Sequence, residues 1–231
     1  MEFARTILGS IFRNLDWSVL TGALISIIPA LLCITFHELA HGYTAYRLGD
    51  RTAKDMGRLT LNPIRHIDIF GLIMMVIFGF GWAKPVPVNM GNFKKPKRDM
   101  AITALAGPLS NVILSAFVLL IFGLVYSMLG GSSATGGYGV AISIIHRTAY
   151  ISIALAVFNV IPIPPLDGSK VLFSVLPEGG YYKLMRYERF GIILLILVLN
   201  TDFFGNTIGA LTKGIFDWLF GAAQFTYELV N

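Results

Sequence analysis

The chain has 231 residues and a mass of 25.3 kDa, room for one ordinary domain. Hydrophobic residues make up 55% of it, charged residues only 13%, and the mean hydropathy is +0.70, which excludes a water-soluble globule and a disordered chain alike. A single cysteine, Cys33, excludes a disulfide scaffold and a Cys-rich metal site.

What remains is a polytopic membrane protein. Arg5 and Arg13 among apolar positions make 1–17 a candidate interfacial helix, and no small-residue cleavage site follows an apolar core as in a cleavable signal. Ser18–Phe36 carries no charge over nineteen residues, enough to cross a bilayer, so a first core span is expected over 18–48. Ile69–Ala83 contains Gly71, Gly79 and Gly81 and as a helix would reach only about 22 Å of a ~30 Å hydrocarbon core. The stretch 69–89 is therefore expected to be re-entrant or interfacial, with a β-hairpin as one form, shielded by the rest of the protein. Met100–Ile145 is too long for one span and is broken by the Gly/Ser-rich stretch 130–139, which predicts a second core span over 100–128 and a third over 140–168. The apolar blocks Phe190–Thr201 and Phe203–Thr212, separated by Asp202, belong to C-terminal membrane segments over 190–228. One tilted span, a re-entrant pair, or a span plus an interfacial helix holding Lys213 and Asp217 all fit them.

The net charge of +5 is a topology signal. Ten of the 18 Lys and Arg lie between Arg47 and Arg98, four more (Lys170, Lys183, Arg186, Arg189) follow the third span, and the 130–139 loop has none. Basic loops stay on the cytoplasmic side, so 47–98 and 168–189 are expected there and 130–139 opposite. Two spans separate the basic regions, which is self-consistent; Arg5 and Arg13 fit less well. Nothing in this distribution reads as a nucleic-acid groove.

Inside the first span stands His37-Glu38-Leu39-Ala40-His41. Histidines at i and i+4 leave one helix face together and can share a Zn²⁺ through imidazole nitrogens, while the adjacent glutamate can act on the attacking water as general base. Polar residues at this depth are costly and usually functional; the plainer alternative is a solvated cluster on a cytoplasmic helix extension. A third ligand is needed to leave one position open, and the candidate is Asp167 in Asn159-Val-Ile-Pro-Ile-Pro-Pro-Leu-Asp-Gly168. Pro162, Pro164 and Pro165 forbid a regular helix and let the aspartate turn inward on the side of the histidines; its alternative role is to cap a helix starting near Ser169. In Gly107-Pro108-Leu109-Ser110-Asn111, small residues suit close helix packing. Asn111 or Asn159 could instead donate to the scissile carbonyl or its oxyanion. His66 and His146 read as structural, and Cys33 as a small apolar residue one turn before His37.

Together, H-E-L-A-H in a first core span, A-G-P-L-S-N in the next and N-V-I-P-I-P-P-L-D-G in a third resemble the site-2 protease family of intramembrane zinc metalloproteases. The stretch from Leu61-Asn-Pro-Ile-Arg-His through Gly81-Trp-Ala-Lys-Pro-Val-Pro-Val-Asn89 to Pro96-Lys-Arg-Asp-Met100 is similar to the short prokaryotic members, and no stretch is long and polar enough for a PDZ or CBS module. One departure is Ile69, where the pattern has proline. The resemblance covers roughly residues 20–200. It implies an all-α polytopic membrane protein in which a three-helix catalytic core is joined by further membrane helices and a small re-entrant or β element. It implies one Zn²⁺ per chain on His37, His41 and Asp167, with Glu38 activating the water, in a multi-pass protein of a prokaryotic cell membrane with its active site near the cytoplasmic side. The expected partners are the lipid bilayer and a protein substrate with a transmembrane helix; a regulatory membrane partner and a homodimer both stay open. Rival classes are a metal transporter using the same three ligands, which makes the glutamate superfluous, and a silent relative, which makes the intact motif superfluous.

Overall fold

A computed structural model of the chain describes residues 17–78, 82–128 and 137–230. The expected interfacial helix over 1–17 falls, Trp17 aside, outside the described residues, as does most of the 130–139 loop. Three long helices form the centre: α1 (Trp17–Arg47), with a short α2 (Thr52–Asp55) after it and α3 (Ile69–Phe78) next, then α4 (Pro96–Met128) and α5 (Gly137–Val160). The chain continues through α6 (Asp167–Ser174), α7 (Glu178–Tyr187), α8 (Gly191–Leu199) and α9 (Asp202–Val230). Helices α1, α4 and α5 pack against one another, and α9 covers α4 and α5.

Stretches within α1, α4 and α5, at Ile25–Arg47, Pro96–Met128 and Tyr138–Val160, are long and apolar enough to cross a membrane, and α8 with α9 makes a fourth candidate if the bent pair is one span. The protein is multi-pass. Helix α4 shows the inversion that lipid permits. Ile102, Leu105, Leu109, Ile113, Phe117, Leu120 and Leu124 form an exposed apolar stripe, while Thr103, Asn111 and Ser115 are buried. Lipid tails are as apolar as leucine, so association rests on close packing and interhelical hydrogen bonds. Accordingly Ser115 Oγ donates to the Ala149 carbonyl at 3.0 Å, Ser152 Oγ to the Asn111 carbonyl at 2.8 Å, and the Cys33 thiol to the Thr148 carbonyl at 3.4 Å.

The segment expected as a re-entrant or β element is helical over Ile69–Phe78. Its cause is local: Oδ1 of Asp68 accepts the Gly71 N–H at 2.9 Å, an N-cap that starts a helix where the glycines had suggested a hairpin. Among the described residues its β character is confined to one antiparallel bridge, Ile67 to Ala83, beside a Lys84 N–H to His66 carbonyl bond of 2.9 Å. His66 is buried, its Nε2 2.9 Å from the Thr60 carbonyl. The third core span ends at Val160, before the prolines, rather than running to 168, because Pro162, Pro164 and Pro165 cannot continue the hydrogen-bond ladder. Asp202 opens α9, where a carboxylate suits the helix dipole, and α9 then runs unbroken past Lys213 and Asp217, an i,i+4 ion pair.

Candidate metal centre

His37 and His41 lie one turn apart on α1, both buried, with ring centroids 4.5 Å apart. Asp167 reaches them from the first turn of α6, where the N-cap is Leu166 and no side chain caps. Its Oδ2 stands 3.1 Å from Nε2 of His37 and 3.0 Å from Nε2 of His41, and the two Nε2 atoms are 3.0 Å apart. The three atoms form a nearly equilateral triangle within one cavity of about 440 Å³.

The donor set fits a cation. Nδ1 of His41 lies 2.7 Å from the Thr103 carbonyl, which can only accept, so this nitrogen carries a ring hydrogen and, in the neutral imidazole, Nε2 keeps its lone pair. In that form the lone pair faces the Asp167 carboxylate at 3.0 Å, and a proton on Nε2 or a metal cation between the two would satisfy both. Tetrahedral ligands at 2.0–2.1 Å from a zinc ion are about 3.3 Å from one another, close to the spacing seen. Lys170 Nζ sits 3.4 Å from Oδ1 of Asp167 and 3.9 Å from Glu188 Oε1, so one carboxylate oxygen is occupied and the other turns to the histidines.

Glu38 lines the same cavity, half-buried, and its Oε2 accepts the main-chain N–H of Val86 at 2.7 Å. The cavity wall opposite α1 includes Pro85, Val86 and Val88. Gly107 of α4 faces the histidine rings so closely that an added methyl would overlap both.

Of the two asparagines, Asn159 lines the cavity, its Nδ2 donating to the Leu155 carbonyl at 3.0 Å. Asn111 is fully buried behind His37, with Nδ2 3.3 Å from Nδ1 of that ring. His146 lies apart, packed against Phe122, Phe216 and Phe220.

The "Putative zinc metalloprotease YwhC" of Bacillus subtilis is 41% identical over 177 residues, covering 76% of this chain and 80% of that protein. The chain belongs to peptidase family M50, the site-2 proteases. The family model matches residues 125–198, which include Asn159 and Asp167. Other M50 relatives with the same designation are MJ0611 of Methanocaldococcus jannaschii, 36% identical over 77% of this chain and 87% of its own length, and Rip2 of Mycobacterium tuberculosis (strain H37Rv), 27% identical over 86% and 74%. No solved structure matches the chain.

Sequence reasoning missed four members of this candidate site: Thr103, Val86, Lys170 and Glu188. Thr103 and Val86 act through main-chain atoms, which leave no signature in residue type. Lys170 did carry one, a cation three residues after the aspartate on a helix.

Proposed function

We propose that the protein is a zinc metalloendopeptidase that hydrolyses a peptide bond within or near the transmembrane segment of membrane protein substrates. The observation that carries this reading is the convergence of His37 Nε2, His41 Nε2 and Asp167 Oδ2 beside Glu38 in one cavity. A zinc ion held by these three would polarise the scissile carbonyl and lower the pKa of the attacking water. Glu38 takes the proton from that water and returns it to the departing amine. Val86 holds the carboxylate in place through its N–H to Oε2. Asn159 donates to the carbonyl oxygen as it gains charge.

His37 and His41 lie inside the apolar stretch Ile25–Arg47, which supports a cut at membrane depth. A substrate helix has all its backbone groups internally satisfied, so it must unwind locally before it can enter. The basic regions 47–98 and 168–189 flank the histidine end of α1 and the aspartate, which supports an active site near the cytoplasmic side, in what we take to be a prokaryotic cell membrane. Regulated intramembrane proteolysis and clearance of membrane-bound remnants both use this chemistry.

Elemental analysis of detergent-purified wild type, His37→Ala and Asp167→Ala, with cleavage of a membrane-spanning model peptide in the same samples, tests the reading. About one zinc per chain, lost with cleavage in both variants, is expected. Wild type without zinc would overturn it.

A further inference from the structure

Asn111 has no access to the cavity and yet is fully buried as a polar residue. Its main chain is pinned to α5 by the Ser152 hydroxyl, so the side chain points from a fixed base at Nδ1 of His37. Two features of that contact are at odds with a ligand histidine. The atom facing Nδ1 at 3.3 Å is the amide nitrogen, and the amide oxygen, Oδ1, is buried with no partner.

His41 supplies the comparison: the Thr103 carbonyl keeps the hydrogen on Nδ1 and so frees the Nε2 lone pair. For His37 to be an equal ligand its hydrogen must also sit on Nδ1, and Nδ1–H would then confront the amide NH₂ while an acceptor on the same group goes unused. A half-turn of the amide exchanges Oδ1 and Nδ2, which gives Oδ1 a donor in Nδ1–H and moves the NH₂ to the side where Oδ1 stood. We infer that Asn111 is the positioning residue of His37: Oδ1 accepts from Nδ1–H, fixing the ring and leaving Nε2 as the ligand atom. With the hydrogen on Nε2 instead, that nitrogen donates to Asp167 Oδ2 and Asn111 donates to Nδ1. The ligand and non-ligand forms of His37 thus differ by one proton position and one amide half-turn. This deepens the metalloprotease reading and rests on it.

Outer partners of ligand histidines change metal affinity by about 10–100-fold when removed. The test is zinc affinity of the full detergent-purified chain, by competition with a chelator, for wild type, Asn111→Leu and Asn111→Asp. Leucine keeps the volume and cannot accept a hydrogen bond; a carboxylate accepts from Nδ1–H and cannot donate. The expected result is a loss of about 10–100-fold in Asn111→Leu and affinity within about threefold of wild type in Asn111→Asp. Wild-type affinity in Asn111→Leu, or an equal loss in both variants, would assign the residue to packing and overturn the inference. If Asn111→Leu fails to fold, ¹⁵N-imidazole spectra of zinc-loaded wild type decide: hydrogen on Nδ1 of His37 supports it, and coordination through Nδ1 overturns it. Wild type that binds no zinc removes the metalloprotease reading itself; wild type that binds zinc beside an unaffected Asn111→Leu removes only this one.

Discussion

The main-chain N–H of Val86 donates to Oε2 of Glu38 at 2.7 Å, joining the proposed general base on α1 to the wall of its own cavity. Val86 stands between Pro85 and Pro87, which have no N–H, so it is the one main-chain donor of that tripeptide and it is spent on Glu38. Glu38→Gln keeps an oxygen for this bond and leaves the three proposed metal ligands untouched. Peptide cleavage is expected to fall by about 10²–10⁴-fold with zinc content unchanged. Full activity in Glu38→Gln would remove it as the base, and loss of zinc would show that it acts on the metal site instead.

Gly107 sets how near α4 comes to the histidines. A methyl group there would overlap the ring of His41 and lie 2.7 Å from Cε1 of His37, and the rings have no slack, because His41 is tied to Thr103 and both face Asp167. Gly107→Ala is expected to weaken zinc binding by about tenfold or more and to cost about 1–3 kcal/mol by overpacking, read by chelator competition and thermal unfolding. Unchanged zinc affinity would mean that α4 can retreat without disturbing the pair.

The sequence made the histidine pair legible because an i,i+4 spacing on a helix is a local fact, and Asp167 because three prolines break the chain just before it and a histidine pair nearby favoured a ligand over a helix cap. The partners that orient them were hidden for a physical reason. Thr103, Asn111 and Gly107 meet the histidines only through the packing of α4 on α1, and Val86 meets Glu38 through a main-chain atom. Over Ile69–Phe78 a helix stands where a hairpin was one form considered for 69–83: there Asp68, placed before an apolar run as a helix-start signal, counts for more than Gly71.

That cap gives a further test. Ile69 is the first residue of α3, directly after the Asp68 N-cap, and its side chain is exposed. The first helical position has no intrahelical use for its N–H and tolerates a fixed φ, which is why proline suits it. Ile69→Pro, the residue that the family pattern has there, is expected to preserve cleavage and raise stability by about 0.4–1 kcal/mol through the unfolded chain. A lower unfolding temperature in detergent would show that α3 begins elsewhere.

Asp50, fully buried after α1, holds the far end of the cavity wall. It accepts the N–H of Thr52 at 3.1 Å and of Asn89 at 2.7 Å, Nδ2 of Asn92 at 2.7 Å, and the Thr52 hydroxyl. Burial alone would raise its pKa; these hydrogen bonds outweigh burial and hold the carboxyl below the usual carboxylate range. A carboxyl depressed on folding stabilises fully above its unfolded pKa of about 3.9, and the contribution is lost as the pH falls from there through the folded value. Asp50→Asn offers one acceptor oxygen where two were engaged and is expected to cost about 1–3 kcal/mol at neutral pH. Thermal unfolding of the two proteins between neutral and acid pH should give curves that converge below the carboxylate range. Curves that stay parallel would show that Asp50 gains nothing from its charge. Asn89 and Asn92 follow directly on the wall that carries Val86, so the same variant should also slow cleavage while retaining zinc, linking this anchor to the position of Glu38.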